Sequence, residues 1–424
     1  MNMKLLTVAM LSSSLLLTAC GDDDGNTTYI SQPEVPENNI QDPVVGIPKN
    51  YELNGMAAAS SDSVVMTYKM LGVNNKEVFA TALVFTPPAS VAQPTSGRPI
   101  VVWAHGTTGV ADKCAPSRQG LGGNEVLLKA LLASGYVVVA PDYEGLGEPS
   151  EQDAHPFLNV KSEAYSITDA VVATRAYLTS LNKKTNGQWL AVGHSQGGQA
   201  VLGAAQYASR AKLDYKGTVA VAPASNLALI LAGGENQANN ELDPVKNINI
   251  LAPLDTFTAL ITAGLRNQYP NLKFTDVFNS PTDLIAATAE TSSQNAVCYQ
   301  ALGQNLGNAM GAYLNANKTL DGYPRTKANF MSIPSINSFL TTSSQPLQKK
   351  VTTPIIIYQG ILDQTVPKQI TDFLVSSAQS VGTAIPSSNY RVGEWDHTTA
   401  YSSNIGNIVQ DVNVLMPSNQ IVKQ

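Results

Sequence analysis

Hydrophobic and polar positions along this chain follow four successive patterns. The first is a short apolar run, Leu5–Leu17, preceded by Lys4 and followed by small residues up to Cys20. As a helix the run would cover about 20 Å, short of the ~30 Å hydrocarbon core of a bilayer, and Ser12, Ser13 and Ser14 interrupt it. This predicts an export signal rather than a membrane span. A second stretch, polar and rich in Pro, Asn and Asp, runs to about Asn50 and reads as a tether. The third begins with the β-branched runs Val64–Met70 and Val78–Phe85, which predict a hairpin across the Gly72/Asn74/Asn75 turn.

From Pro99 onward, continuous apolar runs alternate with helical stretches. PIVVWAHG is followed by the helical NEVLLKALLASG, then YVVVAPD and a long helix over Ser162–Leu181. QWLAVGHS, a helix over Gln196–Arg210 and GTVAVAPAS come next, and the rhythm breaks after Asn226. It resumes at TPIIIYQG, with a helix near Pro367–Ser380, the strand NYRVGEW and a last helix near Tyr401–Leu415. Continuous apolar strands alternating with helices predict an α/β fold with a mostly parallel sheet covered on both faces.

The fourth pattern fills the break. Between about Leu227 and Lys350, helical pieces are separated by Gly, Asn and Pro, with no clear strand. A structureless loop of that length would not persist in a compact protein, so a folded, largely helical insert is expected. Its position above the strand carboxyl ends makes it a candidate cap. The expected division is a signal at 1–19, a tether at 20–50, a core made of 51–226 and 351–424, and a cap at 227–350.

Composition narrows the partners. There are 26 Lys and Arg against 32 Asp and Glu, a net charge of −6, with no basic block, which argues against nucleic acid. With 43% hydrophobic residues the chain is neither collagen-like nor disordered. The 3 cysteines show no Cys-x-x-Cys spacing and no His-x-x-x-His pair accompanies them, so no structural metal is expected. Only 4 histidines are present, His105, His155, His194 and His397, and any imidazole chemistry must use one of them.

Gly193-His194-Ser195-Gln196-Gly197-Gly198 follows an apolar strand and opens a helix, the context in which Gly-x-Ser-x-Gly presents a nucleophilic serine. Small residues on either side let the chain turn sharply, and the helix N-terminus favours developing negative charge. Hydrolases of this topology place the acid and the histidine after the serine, and only His397 lies C-terminal to Ser195. Asp363, just past the strand IIIYQG, is the favoured orienting acid. Asp396 is the competitor, although neighbours on one loop usually point apart. His105-Gly106-Thr107-Thr108-Gly109 ends the strand PIVVWA and can offer a backbone N–H to an oxyanion. The expected donors are the N–H groups of Gln196 and Thr107, with Thr108 as the alternative to Thr107. His105 is expected to support that loop.

Taken together, HGTTG, APDYEGLG (Ala140–Gly147), GHSQGG, the Asp363 run and DHTT resemble the secretory lipase branch of the α/β-hydrolase superfamily, from about Pro99 to the C-terminus. The resemblance implies an α/β-hydrolase fold and hydrolysis of carboxylic esters, triacylglycerols included, without cofactor or metal. It carries the triad onto Ser195, Asp363 and His397 and places Tyr143 at the pocket entrance. Leu17-Thr18-Ala19-Cys20 resembles the lipobox of bacterial lipoproteins, which implies lipidation of Cys20 and a lipid anchor in the cell envelope, at the outer membrane or cell surface. In this the chain departs from the family's freely secreted members. A peptidase of the same fold would want a carboxylate pair or an Arg to hold a peptide amine, and no such candidate stands out. A binding protein on a degenerate hydrolase scaffold would typically lose triad members, whereas all three are present. With Cys20 lipidated, Cys114 and Cys298 remain as an even pair in an oxidising compartment and are expected to be bonded.

Overall fold

Each apolar run divides its side chains between two cores, which is why the runs carry no visible alternation. In the strand Arg98–Ala104, Ile100, Val102 and Ala104 enter one apolar cluster while Val101 and Trp103 enter another. Ile355 and Ile357 against Ile356 and Tyr358 divide in the same way. A strand buried on both faces needs apolar residues at every position. The computed structural model describes residues 35–147, 154–290 and 296–418. The expected signal and Cys20 lie outside the described residues, as do the first residues of the expected tether.

The strands are β1 (Val44–Asn50), β2 (Asp62–Leu71), β3 (Glu77–Thr86), β4 (Arg98–Ala104), β5 (Val137–Pro141), β6 (Thr185–His194), β7 (Asp214–Val221), β8 (Ile355–Gly360) and β9 (Tyr390–Gly393). They form one sheet in the order β1-β2-β3-β5-β4-β6-β7-β8-β9. β1 to β3 are antiparallel, β3 pairs antiparallel with β5, and from β5 to β9 all neighbours are parallel. The longer helices are α1 (Glu125–Ala133), α2 (Val160–Ser180), α3 (Gln196–Tyr207), α4 (Leu227–Asn240), α5 (Pro244–Leu265), α6 (Tyr299–Asn317), α7 (Lys368–Ser380) and α8 (Ile405–Leu415). α2, α3 and α7 cover one face of the sheet, and α1 and α8 cover the other.

The expected tether is shorter than residue 50. Val44–Asn50 is an edge strand, with Val44 opposite Tyr68 and Asn50 opposite Val64. Residues before it are also docked: Asn38 Nδ2 donates to Asp169 Oδ1 at 2.8 Å, and Arg210 donates to the Pro36 carbonyl at 2.8 Å. Gly46 and Pro48 give this strand the look of a linker, and Ile47 is 91% exposed. Backbone pairing with β2, not side-chain pattern, makes it a strand, and a proline is tolerated because one edge is unpaired.

Between β7 and β8 the described residues form helices joined by turns and loops, with one bridge between Phe278 and Thr326. α4, α5 and α6 surround their own apolar cluster, which Val110, Phe157 and Leu158 of the sheet-side loops join. α5 is long and apolar enough by composition to cross a membrane, but 72% of its most apolar window is buried inside this cluster. It is a core helix of the insert. Arg325 ties the insert together internally, reaching Glu235 and Asp255 at 2.8 and 2.7 Å.

Candidate active site

Parallel neighbours deliver the chemical residues to one end of the sheet. Ser195 follows β6, Asp363 follows β8, His397 follows β9, and the loop carrying Thr107 follows β4. The hydrogen-bond ladder continues past the strand ends: Ser195 N–H donates to Val221 O at 2.9 Å, and Ile361 N–H to Gly393 O at 2.9 Å. Those bonds tie the Ser195 turn to the end of β7 and the Asp363 loop to the end of β9, although long stretches of sequence separate them.

Ser195 sits at φ +59°, ψ −118°, a strained conformation for a residue with a side chain, and α3 begins at the next residue. The turn closes only because its flanks are bare: a side chain at Gly193 would run into the Gly197 carbonyl, and one at Gly197 into the Ala104 carbonyl. The result is a hydroxyl raised above the strand ends. Ser195 Oγ lies 2.8 Å from His397 Nε2, and His397 Nδ1 lies 2.8 Å from Asp363 Oδ2. This fixes the tautomer: Nδ1–H donates to the carboxylate, leaving Nε2 to accept the serine proton. Asp363 is itself held, its Oδ1 accepting the N–H groups of Thr365 at 2.9 Å and Val366 at 2.8 Å. Asp396 faces the other way, accepting the N–H groups of Thr398 and Thr399 at 3.0 and 2.7 Å.

A cleft of about 480 Å³, counting its open mouth, lies over the serine. Thr107, Ser195 and Gln196 form its floor, and Leu227, Leu231, Leu254, Phe257 and Ile261 of α4 and α5 form an apolar roof. As the first residue of α3, Gln196 has a backbone N–H with no acceptor inside its own helix. Thr107 lines the cleft, whereas the Thr108 carbonyl accepts the N–H of Tyr299, which opens α6. Cys114, just beyond this loop, is bonded to Cys298.

Tyr143 is elsewhere. The side chain is fully buried, its hydroxyl donating to the His105 carbonyl at 2.9 Å and its ring packed between His105 and His155. The expected place at the pocket entrance is therefore corrected: Tyr143 braces the Thr107 loop from behind. Its neighbour Asp142 is also buried, accepting from Thr81 Oγ1 at 2.6 Å and from Ser117 N–H at 2.9 Å. Burial pushes the Asp142 carboxyl up to about 6. His105 lies between the carbonyls of Gly106 and Asp142, and burial lowers its pKa to about 4.

The sequence reading assigned no role to His194 or His155. His194 packs against the His397 ring at 4.8 Å, stacks on Tyr401 at 5.4 Å, and donates Nε2–H to the His397 carbonyl at 2.8 Å. Burial, aided by the His397 charge, holds its pKa down at about 3. His155 is buried behind α3, near Glu163. Neither position had a sequence signal, since both depend on which loops meet.

The profile of the secretory lipase family matches residues 120–385 of the chain. No curated protein matches it. Among solved structures, a protein from Legionella pneumophila superposes with a TM-score of 0.67 at 17% identity, covering 89% of this chain and 100% of that one. A ligand-bound form of the rice cell wall degrading esterase LipA from Xanthomonas oryzae gives a TM-score of 0.62 at 18% identity, covering 88% and 98%. Candida antarctica lipase A in its closed state gives 0.62 at 16% identity, covering 89% and 82%. At such identities these likenesses speak to the fold.

Proposed function

The chain belongs to the secretory lipase family and is a carboxylic-ester hydrolase of the α/β-hydrolase type, and from that premise we propose that Ser195, His397 and Asp363 carry the reaction as a nucleophile–base–acid triad. Ser195 Oγ attacks the ester carbonyl while His397 Nε2 takes its proton. The carbonyl oxygen becomes an oxyanion, received by the backbone N–H groups of Gln196 and Thr107. Collapse of this intermediate expels the alcohol, which takes its proton from His397. A water then gives a proton to His397 and attacks the acyl-enzyme, and collapse of this second intermediate releases the acid while His397 returns the proton to Ser195 Oγ. Asp363 holds the imidazole in orientation and stabilises the imidazolium as it forms. No step calls for a cofactor or metal.

The observation that carries this reading is the pair of 2.8 Å contacts through which His397 joins Ser195 to Asp363. The apolar roof from α4 and α5 favours an ester with a hydrocarbon acyl chain, lipid or small molecule, and gives the helical insert at 227–350 the role of cap. Membership in a secretory family supports export. Beyond that, Leu17-Thr18-Ala19-Cys20 supports lipidation at Cys20 and an envelope lipoprotein. The deciding experiment compares wild type and Ser195→Ala on p-nitrophenyl esters from acetate to palmitate, with a tributyrin emulsion alongside. Turnover in the variant should fall by about 10⁴ or more with the fold retained. Ester turnover within tenfold of wild type would sink the assignment.

A further inference from the structure

Directly behind the oxyanion donor lies a carboxylate that this mechanism does not use. Glu163, in the first turn and a half of α2, is fully buried, with no lysine or arginine among its partners in the described residues. Its Oε1 accepts the Leu158 N–H at 3.0 Å and a hydrogen of the Gln196 carboxamide at 2.7 Å. The other carboxamide hydrogen points to His155 Nε2 at 2.8 Å. For that nitrogen to accept, the His155 proton must sit on Nδ1, where it donates to the Glu144 carbonyl at 2.8 Å. Both hydrogens of one side chain are thus held by two buried groups from outside its helix. Gln196 Oε1 and Glu163 Oε2 have no partner among the described residues, so the two hydrogens carry the whole orientation.

We propose that Glu163 and His155 are positioning residues for the oxyanion hole, clamping the Gln196 carboxamide and through it the first turn of α3, whose leading N–H meets the oxyanion. Glu163 also fixes the cleft wall. Leu158 lines the cleft in the left-handed region at φ +59°, its N–H held by Glu163 and its carbonyl by Gln199 Nε2 at 3.2 Å. Such a clamp is useful because an oxyanion donor misplaced by a fraction of an ångström loses much of its value. An ionised carboxylate here would also oppose the oxyanion electrostatically. The contribution of Glu163 is therefore geometric, and burial raises its carboxyl pKa in keeping with that.

This inference rests on the triad reading, and the test separates the two. Kinetics on a soluble p-nitrophenyl ester would be measured for Glu163→Ala, Glu163→Gln and Gln196→Met, with circular dichroism melts reporting the folded fraction. Gln196→Met keeps the backbone N–H and the bulk but removes the carboxamide. Glu163→Ala and Gln196→Met should each lower kcat about 30-fold or more, with KM within threefold, since the donor acts in the transition state. Glu163→Gln keeps an acceptor oxygen at the same place and should recover at least a tenfold share of what Glu163→Ala loses. Adding Glu163→Ala to Gln196→Met should cost less than threefold further, as expected of residues acting as one unit. If Gln196→Met keeps kcat within threefold of wild type, the clamp is refuted, whether or not Glu163→Ala folds. An active Ser195→Ala would instead remove the triad reading, while an inactive Ser195→Ala beside an unaffected Gln196→Met removes only the clamp.

Discussion

Cys298, the residue before α6, is bonded to Cys114 in the segment that follows the Thr107 loop, with the Cα atoms 5.4 Å apart across a sequence separation of 184. The bond therefore joins the helical insert to the segment behind the loop proposed to present an oxyanion donor. A hydrogen bond between the same two segments lies beside it, from Tyr299 N–H to the Thr108 carbonyl at 2.9 Å. On the proposed reading of the insert as a cap, one fastened in this way can rock over the cleft but cannot swing clear of it, and substrate access would fall to local movement of α4 and α5.

Cys298→Ser should lower thermal stability and kcat together. The chain-entropy treatment of a loop this long gives an upper value of roughly 5 kcal/mol for stability. Thermal melts and ester kinetics on the same preparation check it. A variant with an unchanged melting temperature, or one that melts early yet turns over normally, would show that the bond does not couple insert and loop.

Asp363→Asn should reduce kcat on the order of 10⁴, because an amide no longer enforces the Nδ1–H tautomer of His397. Asp396→Asn should cost little, since Asp396 caps the Thr398 and Thr399 N–H groups in solvent. If Asp396→Asn proves the worse lesion in steady-state kinetics, the acid has been misassigned.

His194 makes stability depend on pH. Its pKa is about 3 in the folded protein, below the ordinary histidine value of 6.5, so below that value the unfolded chain binds more protons at this site. The stabilisation it brings is complete above pH 6.5 and is lost as the pH falls through 6.5 toward 3. His194→Gln removes the titration while keeping an N–H for the His397 carbonyl. Between pH 7 and pH 5, wild type should lose at least about 2 °C more in Tm than His194→Gln. Parallel profiles in differential scanning calorimetry would refute the argument.

Cys20→Ser should move the protein from the membrane fraction to the soluble fraction with kcat on soluble esters nearly unchanged. Palmitate labelling that persists in this variant would rule out Cys20 as the lipid site.

The sequence alone determined the parallel part of the sheet and singled out Ser195, Asp363 and His397, which the structure brings within 2.8 Å of one another through the His397 ring. Continuous apolar runs encode strands buried on both faces, and Ser195 stands in a strand–turn–helix context that its glycines make sterically possible. With only His397 C-terminal to the serine, chain order left one base to choose. These are local or combinatorial signals, so a linear reading captures them. The edge strand Val44–Asn50 was not legible, because its pairing partner, and not its own pattern, makes it a strand. Tyr143 was misplaced because one tyrosine can line a pocket or brace a loop, and only the packing of His105 and His155 around its ring decides which. The Glu163–Gln196 contact and the stacking of His194 on Tyr401 were equally invisible. Each joins segments far apart in the chain, and a buried polar side chain takes its role from whichever hydrogen-bonding groups the fold brings within about 3 Å of it.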